Sequence, residues 1–271
     1  MQPKLFDRVL QEMDHHSFRV VVLYHGGEPF VNKHFLSMLD RTRAQGIPFI
    51  KTVTNGMLLT EDISRGLIKR GLNLLEVSLD GTGPTVNDFV RRKCDAARVI
   101  ENVRRLITLK EEMDARQPAI SVAAHQFIDP KTWDRNAAGP EPPQWLQNEF
   151  GNAVEFNCHH IMRWPHMNVD DELFDVYLDP EDSDDRNECD HVESTITVRA
   201  NGDVVPCCFD LTSRMVMGNI QKNSLEEIWN SGRYRRLREN IRARTFNPTC
   251  ANCNVVRRHA YLTPKDLRLR S

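Results

Sequence analysis

The stretch VVVLYHGGEP, residues 20–29, decides the fold that this sequence predicts. An uninterrupted apolar run leads into two glycines, an acid and a proline. Apolar, β-branched residues that stop at Gly-Gly and Pro are typical of a buried strand followed by a tight turn. Because parallel sheets bind ligands beyond the carboxyl ends of their strands, the turn at 25–29 is a candidate binding site.

The composition of this turn, Gly26, Gly27, Glu28 and Pro29, suits a positively charged amine. Glycines let another molecule approach the backbone carbonyls, because they carry no side chain. Glu28 adds a negative charge, and Pro29 stiffens the exit of the chain. Carbonyl and carboxylate oxygens accept the hydrogens of an amine. The alternative is a tight strand-to-helix turn that binds nothing.

Strand and helix patterns alternate along the first part of the chain. Strands are predicted over 19–24, 48–54, 73–79, 119–128 and 153–161, with helices at about 31–44, 60–71, 95–113 and 143–150. This alternation predicts an α/β fold with a parallel sheet. A length of 271 residues is enough for one large domain and a small appendage.

Polar residues also follow the second and third predicted strands. Thr54-Asn55-Gly56 ends one strand, and Ser78-Leu79-Asp80-Gly81 ends the next. Alternation along a strand places Ser78 and Asp80 on the same face. Amide, hydroxyl and carboxylate groups on one rim suit ribose hydroxyls and the edge of an adenine, although each turn alone is an ordinary one.

Composition excludes several classes of protein. The formal net charge of −2 offers no whole-chain electrostatic case for binding nucleic acid. No apolar run reaches the roughly 18 residues that a membrane span requires. Residues 1–16 have the pattern of an amphipathic helix and lack an apolar signal core. We therefore expect a cytoplasmic protein without nucleic-acid or membrane partners.

Five of the seven cysteines lie after residue 188. Four of them, Cys189, Cys207, Cys250 and Cys253, surround a predicted hairpin of strands 194–200 and 203–209 that turns at Asn201-Gly202. A helix at about 224–241, with a capping box at Ser224, precedes the terminal CxxC. Four thiolates in a small module predict a metal site. Thiolates select zinc or iron–sulfur without distinguishing them.

The strand-end motifs resemble those of radical S-adenosyl-L-methionine (radical SAM) enzymes. The matching stretches are HGGEP (25–29), TNG (54–56), SLDG (78–81) and Asp88-Phe-Val-Arg91, within a likeness that covers residues 5 to 256. The resemblance implies a partial (β/α)6 TIM-like barrel. In it, Gly26, Gly27 and Glu28, with Pro29 in the same turn, hold the amino group of SAM. Candidates for the rest of the cofactor are Asn55, Ser78, Asp80 and Arg91.

The family signature CxxxCxxC, which holds a core 4Fe-4S cluster, is not found in this sequence. A truncated copy that lacks its first strand, a degenerate homologue and ligands from elsewhere are the three explanations, and truncation is favoured. The core cluster is therefore expected only if a missing N-terminal segment supplies it. Without those thiolates, the chain as written is not expected to cleave SAM.

The C-terminal cysteines resemble the auxiliary-cluster module called SPASM, in its shorter, one-cluster twitch form. The stretches that carry this likeness are CDHVESTITVRANGDVVPCCFD (189–210), GNI (218–220), SLEEIWNS (224–231) and the terminal CxxC. It implies one auxiliary 4Fe-4S cluster held by Cys189, Cys207, Cys250 and Cys253. Cys208 is a spare, because adjacent residues in a strand point to opposite faces.

Together these features predict an α/β partial barrel, without its first strand, followed by a small α+β SPASM/twitch module. The predicted parts are a barrel at 1–168, an acidic linker at 169–188, the cluster module at 189–257 and a basic tail at 258–271. His159, His160 and His166 lie near the last barrel strand, where packing roles are favoured over acid–base roles.

The resemblance implies a radical SAM oxidoreductase or maturase. In full-length form it would reductively cleave SAM to a 5′-deoxyadenosyl radical and take a hydrogen atom from a peptide or small molecule. A flavodoxin- or ferredoxin-type donor would supply electrons, and the auxiliary cluster would transfer them. The alternative is an inactive or truncated homologue that acts as a metal-stabilised binding or scaffold protein.

Overall fold

The computed structural model describes residues 1–13, 18–134, 139–179, 185–257, 259–266 and 269. The chain divides into two compact units. The sheet unit comprises Phe18–Ile161 and Asp266–Ser271, and the cysteine unit comprises Met1–Ser17 and Met162–Lys265. None of the described helices is both long and apolar enough to cross a bilayer.

The sheet unit is built on a five-stranded, fully parallel sheet in the order β1-β2-β3-β4-β5. Its strands are β1 Val20–Val22, β2 Phe49–Thr54, β3 Leu74–Ser78, β4 Ala119–Gln126 and β5 Glu155–His160. Its helices are α2 Phe35–Ala44, α3 Glu61–Lys69, α4 Pro84–Val90, α5 Ala96–Glu112 and α6 Gln144–Phe150, with 3-10 turns at Pro29–Val31 and Gly151–Ala153. The predicted α/β class and its five parallel strands are confirmed.

The two faces of this sheet differ in chemistry. Leu75 and Val77 are fully buried, and a Cβ added to Gly56 would lie 2.6 Å from Cγ1 of Val99 in α5 and 3.1 Å from Cγ1 of Val77. Helix α5 therefore packs on the Val77 face. Because strand residues alternate, Glu76 and Ser78 lie on the opposite face.

That opposite face is polar across three strands. Lys51 Nζ lies 3.9 Å from Oε2 of Glu76, and Nδ2 of Asn157 donates to the same oxygen at 3.4 Å. These side chains come from β2, β3 and β5, respectively. One face of the sheet thus forms the apolar core with the helices, and the other offers charged and hydrogen-bonding groups.

The prediction that β1 is buried is wrong. Val20 is 51% exposed and Val22 is 43% exposed. The strand lies at the edge of the sheet, where it pairs with β2 on one side. An apolar sequence cannot distinguish an edge position from a central one, because the pattern records the residue types and not the neighbours.

The cysteine unit contains two small antiparallel sheets. Their strands are β6 Phe174–Leu178 with β10 Ala260–Pro264, and β7 Thr197–Val198, β8 Asp203–Val205 and β9 Gly218–Asn219. The helices are α1 Pro3–Met13, α7 Asp190–Ser194, α8 Leu225–Trp229 and α9 Gly232–Arg242, with a 3-10 turn at Cys250–Asn252. Helix α1 joins this unit through Glu12, whose Oε2 accepts a hydrogen bond from Leu225 N at 3.0 Å.

Strand β6 lies within the stretch that the sequence predicts to be an acidic linker. It pairs with β10, which lies within the predicted basic tail. The paired residues are about 80 to 90 positions apart along the chain, so no local signal links them. Of the two predicted segments, residues 180–184, 258, 267, 268, 270 and 271 lie outside the described residues.

The predicted helix at 224–241 is two helices, α8 and α9. The capping box is confirmed, since Ser224 Oγ accepts from Glu227 N at 3.1 Å and Glu227 Oε2 accepts from Ser224 N at 2.9 Å. Ser231 caps the second helix by accepting from Tyr234 N at 3.3 Å. The predicted strand at 194–200 is also shorter than expected, because α7 continues to Ser194.

Candidate functional site: a polar strand-end rim and a group of four cysteines

Glu28 ties the end of β1 to the end of β2. Its Oε1 accepts hydrogen bonds from Thr54 Oγ1 at 2.8 Å and from Phe30 N at 3.2 Å, and its Oε2 accepts from Asn55 N at 2.8 Å. Both carboxylate oxygens therefore have defined positions. A Cβ added to the neighbouring Gly27 would meet no atom within 4 Å, so the backbone beside Glu28 is open to another molecule.

Replacing Glu28 with glutamine is expected to reduce the free energy of unfolding by about 1.5–3 kcal/mol, the range for hydrogen bonds to charged groups. In either orientation, the amide nitrogen of glutamine would face a backbone N–H, that of Asn55 or that of Phe30, and two donors cannot bond to each other. Urea unfolding measures the change. Glu61→Gln is the matched control, because Glu61 is exposed and pairs with Arg65 at 2.7 Å. Equal losses in the two variants would contradict the bridging role.

Asp80 lies at the end of β3 in a network of cationic and N–H groups. Its Oδ2 is 2.8 Å from Nε of Arg91, and its Oδ1 accepts from His125 N at 2.9 Å and lies 3.0 Å from His125 Nδ1. Burial raises the pKa of Asp80, but the hydrogen bonds from His125 and the charge of Arg91 outweigh burial and bring the pKa below its ordinary value. The carboxylate therefore remains charged near neutral pH.

The other predicted rim residues lie at the ends of β2 and β3. Asn55 Oδ1 accepts from Met57 N at 2.9 Å, and Ser78 is 7% exposed. Asn87 Oδ1 accepts from Asp80 N at 2.9 Å, and Asn87 Nδ2 donates to Asp88 Oδ1 at 3.0 Å. The stretch around 88–91 is thereby fixed to the end of β3. The sheet unit thus brings the predicted residues to one rim.

His125 is a rim residue that the sequence did not single out. It is the penultimate residue of β4, and His159 of β5 lies opposite it in register, with 5.8 Å between the two ring centroids. Burial lowers the pKa of His159, and the neighbouring His125 lowers it further. Its position near the carboxyl end of a predicted strand could have identified it, because Asp80 was recognised by the same criterion. The rim therefore carries two imidazoles beside its carboxylate.

Replacing Asp80 with asparagine is expected to reduce the free energy of unfolding at pH 7 by about 2–4 kcal/mol, because Asp80 is a nearly buried member of an ion pair. The native pKa lies below the unfolded value of about 3.9, so this stabilisation is complete above that pH. It is lost as the pH falls through the native pKa. Wild type and variant should therefore converge in acid.

Urea unfolding at pH 7, 5 and 2.5 tests this pH dependence, because the lowest of these lies well below the unfolded pKa of about 3.9. Asp40→Asn is the matched control, since Asp40 forms an exposed pair with Arg70 at 2.9 Å. Exposed pairs contribute about 0–1 kcal/mol. A difference between wild type and the Asp80 variant that stays constant from pH 7 to 2.5 would contradict the assignment.

The cysteine unit brings the four predicted thiols into one region. Cys189 and Cys253 are buried in a single apolar cluster, and Cys250 packs against it. Electrostatic interactions couple Cys253 to Cys189 and to Cys207, and Cys250 to Cys189 and Cys253. Cys207 is half-buried, whereas Cys208 is exposed. Cys207 and Cys253 also interact electrostatically with Cys208, so exposure is what separates Cys208 from Cys207, and its role as the spare stays a prediction.

These thiols lie in an environment that disfavours their charged form. Burial raises the pKa of Cys207 and of Cys250 to about 12. Thiolates are the metal-binding form, so binding must release protons. Within the described ranges, no group of three or more His, Cys, Asp or Glu side chains is placed to hold a metal ion. The thiols are gathered but do not form a ready-made single-ion site.

Two family profiles match the two regions. The radical SAM superfamily matches residues 1–110, and the iron–sulfur cluster-binding domain SPASM matches residues 189–254. These matches agree with the parallel sheet and its strand-end motifs. The chain thus has a radical SAM region at residues 1–110 and an SPASM domain at residues 189–254, as the motifs predicted.

Among characterised relatives, the tungsten-containing aldehyde ferredoxin oxidoreductase cofactor-modifying protein of Pyrococcus furiosus is 23% identical over 94% of this chain and 79% of its own length. The mycofactocin maturase MftC of Mycolicibacterium smegmatis is 35% identical, but over 29% of this chain and 20% of its own length. The relatives in this family are enzymes.

Solved structures share the fold. Native anSMEcpe with bound AdoMet superposes with a TM-score of 0.62 at 13% identity, covering 92% of this chain and 78% of that one. SuiB of Streptococcus suis bound to the precursor peptide SuiA gives a TM-score of 0.55 at 13% identity, over 93% and 62% of the two chains. At these identities the likeness establishes the architecture, and the roles of individual residues rest on the geometry given above.

Proposed function

We propose that the strand-end rim binds SAM and that Cys189, Cys207, Cys250 and Cys253 bind one auxiliary 4Fe-4S cluster. The protein would be an oxidoreductase or maturase that modifies a peptide or a small molecule through a carbon-centred radical. The observation that carries this proposal is the coexistence, in one chain, of the Glu28 rim and the four-thiol group.

On the rim, Glu28 and the carbonyls of Gly26 and Gly27 would hold the amino group of SAM. Support comes from the fixed carboxylate and from the open space beside Gly27. Pro29 follows Glu28 and begins the 3-10 turn, which keeps the loop in place. An amine can use the lone pairs that Thr54, Asn55 and Phe30 leave available, since a carboxylate has about four acceptor sites.

The remaining cofactor groups would lie along the same rim. Asn55, Ser78 and Asp80 offer amide, hydroxyl and carboxylate groups for ribose hydroxyls and the adenine edge. Arg91 would meet the SAM carboxylate, and its ion pair with Asp80 holds the guanidinium at the rim. The positions of Asn55 and Ser78 at the ends of β2 and β3, and the contact of Arg91 with Asp80, support these assignments.

Reductive cleavage of SAM supplies a 5′-deoxyadenosyl radical, and the one-electron chemistry belongs to a core 4Fe-4S cluster. Three cysteines in CxxxCxxC spacing would hold that cluster, and residues 1–271 contain no such run. The cleavage step is therefore proposed for a protein in which those ligands are supplied. A flavodoxin- or ferredoxin-type partner would donate the electron.

For the auxiliary cluster, four cysteine ligands leave no open iron, which favours electron transfer over direct contact with substrate. The thiolate donor set fits iron–sulfur and zinc alike. The SPASM match at residues 189–254 favours iron–sulfur. All four cysteines lie inside the matched residues.

The test is anaerobic reconstitution of the chain with iron and sulfide, followed by analysis of iron, sulfide and zinc. We expect about four iron and four sulfide per chain for a single 4Fe-4S cluster. Zinc that resists replacement by iron would support the metal-stabilised scaffold instead. Calorimetric titration with SAM, on a form in which the core-cluster ligands are supplied, tests the rim separately, and no heat of binding would exclude it.

A further inference from the structure

Asn247 places its side-chain amide against the sulfur of Cys250. Nδ2 of Asn247 lies 3.3 Å from Sγ of Cys250. Oδ1 of the same side chain accepts from Thr249 N at 2.9 Å and from Cys250 N at 3.0 Å. Two backbone donors thus fix the position of the oxygen. If the amide were flipped, its NH2 group would face these two donors, so the orientation is defined. The N–H is directed at the sulfur.

Backbone N–H groups interact with the other three thiols. They belong to His191 and Val192 for Cys189, Phe209 and Asp210 for Cys207, and Val255 and Val256 for Cys253. Cys250 instead receives an N–H from a side chain, that of Asn247. A side-chain donor can be removed by substitution, whereas a backbone donor cannot. Cys250 is therefore the thiol whose hydrogen bonding can be tested directly.

Hydrogen bonds to the ligand sulfurs are one of the factors that set the reduction potential of an iron–sulfur cluster. Reduction adds one electron, and part of that charge resides on sulfur. An N–H donor stabilises the more negative state, so it raises the potential. The turn fixes this donor through Thr249, which is itself held by His166, whose Nε2 lies 2.7 Å from Thr249 Oγ1.

We propose that Asn247 is a positioning residue that raises the reduction potential of the cluster bound by Cys250. This inference rests on the proposed auxiliary cluster. It concerns the hydrogen bond from Asn247 to the sulfur of Cys250, and it requires no change in the ligand set.

The experiment uses residues 1–271, reconstituted anaerobically with iron and sulfide and reduced stepwise by dithionite. The midpoint potential is read from the EPR signal of the reduced cluster. In Asn247→Ser, the hydroxyl can still accept the backbone N–H groups, but it is too short to reach Sγ. We expect a more negative midpoint potential with unchanged iron content.

Two further variants make the result decisive. Asn247→Asp keeps the side-chain length and the acceptor oxygen but replaces the donor with a charged oxygen, so its shift should exceed that of serine. Asn252→Ser is the matched control, because Asn252 Nδ2 donates to Pro248 O at 3.2 Å in the same turn. The potential of this control should equal that of the wild type.

Equal potentials in all four proteins would overturn the role of Asn247. So would a shift in the control as large as in the Asn247 variants. Loss of the cluster from both Asn247 variants, with the control intact, would assign Asn247 to folding of the turn and overturn the redox role. If the wild type itself takes up no iron and sulfide, the proposed auxiliary cluster fails, and this inference fails with it.

Discussion

Replacing Cys253 with serine is expected to lower the cluster iron from about four atoms per chain to near zero, because a 4Fe-4S cluster needs its full set of thiolates. Cys253 is buried in the same apolar cluster as Cys189 and interacts electrostatically with Cys207 and Cys250. Iron analysis and the visible absorption of the anaerobically reconstituted protein measure the loss.

Cys208→Ser is the matched control for this experiment. Cys208 is adjacent to Cys207 but exposed, and it should leave the iron content unchanged. Cys207→Ser should behave like the Cys253 variant. Iron that persists in Cys207→Ser and disappears in Cys208→Ser would reverse the assignment of these two neighbours.

Replacing Gly81 with alanine is expected to reduce the free energy of unfolding by about 3–5 kcal/mol, from a left-handed backbone and an overpacked contact. Gly81 has a φ of +77°, and an added Cβ would lie 2.4 Å from Cγ1 and 2.8 Å from Cβ of Val86. Its carbonyl also accepts from Trp145 Nε1 at 3.1 Å. A shift of the turn therefore disturbs α4 and α6 together. Urea unfolding followed by tryptophan fluorescence measures the change.

Gly46→Ala separates the two causes. Gly46 has a φ of +71°, but an added Cβ would meet no atom within 4 Å. The free energy of unfolding of this variant should fall by only about 1–2 kcal/mol, the cost of the left-handed conformation. If the two variants lose similar amounts of unfolding free energy, Val86 must move away from the added Cβ at little cost, and the close contact is then not the cause of the larger expected loss.

The parallel sheet could be predicted because its signals are local. Each strand is a short apolar run that ends in turn residues, and helix α5 begins after the N-cap Asp95, which accepts from Arg98 N at 3.1 Å. The rim followed from the same signals, since the carboxyl ends of parallel strands share one edge. Asp80 and Arg91 were both recognised, but their direct pairing depends on how α4 returns to the strand end, and no spacing rule specifies that.

What could not be predicted depends on distant partners or on the exact end of an element. Strand β6 is stabilised by β10, far along the chain. The acidic residues on either side of β6 give the segment the composition of a linker. His125 was missed because the predicted strand ran on to residue 128, which made it an interior residue, whereas β4 ends at Gln126. Asn247 was missed because cysteine spacing indicates which side chains can ligate a metal and carries no signal for a donor to a ligand sulfur.

The bridge from Glu28 to the second strand also offers a way to follow ligand binding without labelling the ligand. The amide proton of Asn55 is hydrogen-bonded to the carboxylate of Glu28. A positive charge that arrives at this carboxylate would withdraw electron density from that bond and move the proton resonance upfield. The chemical shift of the Asn55 amide proton would thus report binding. Its change as a cation is added would give the affinity of the turn for that cation.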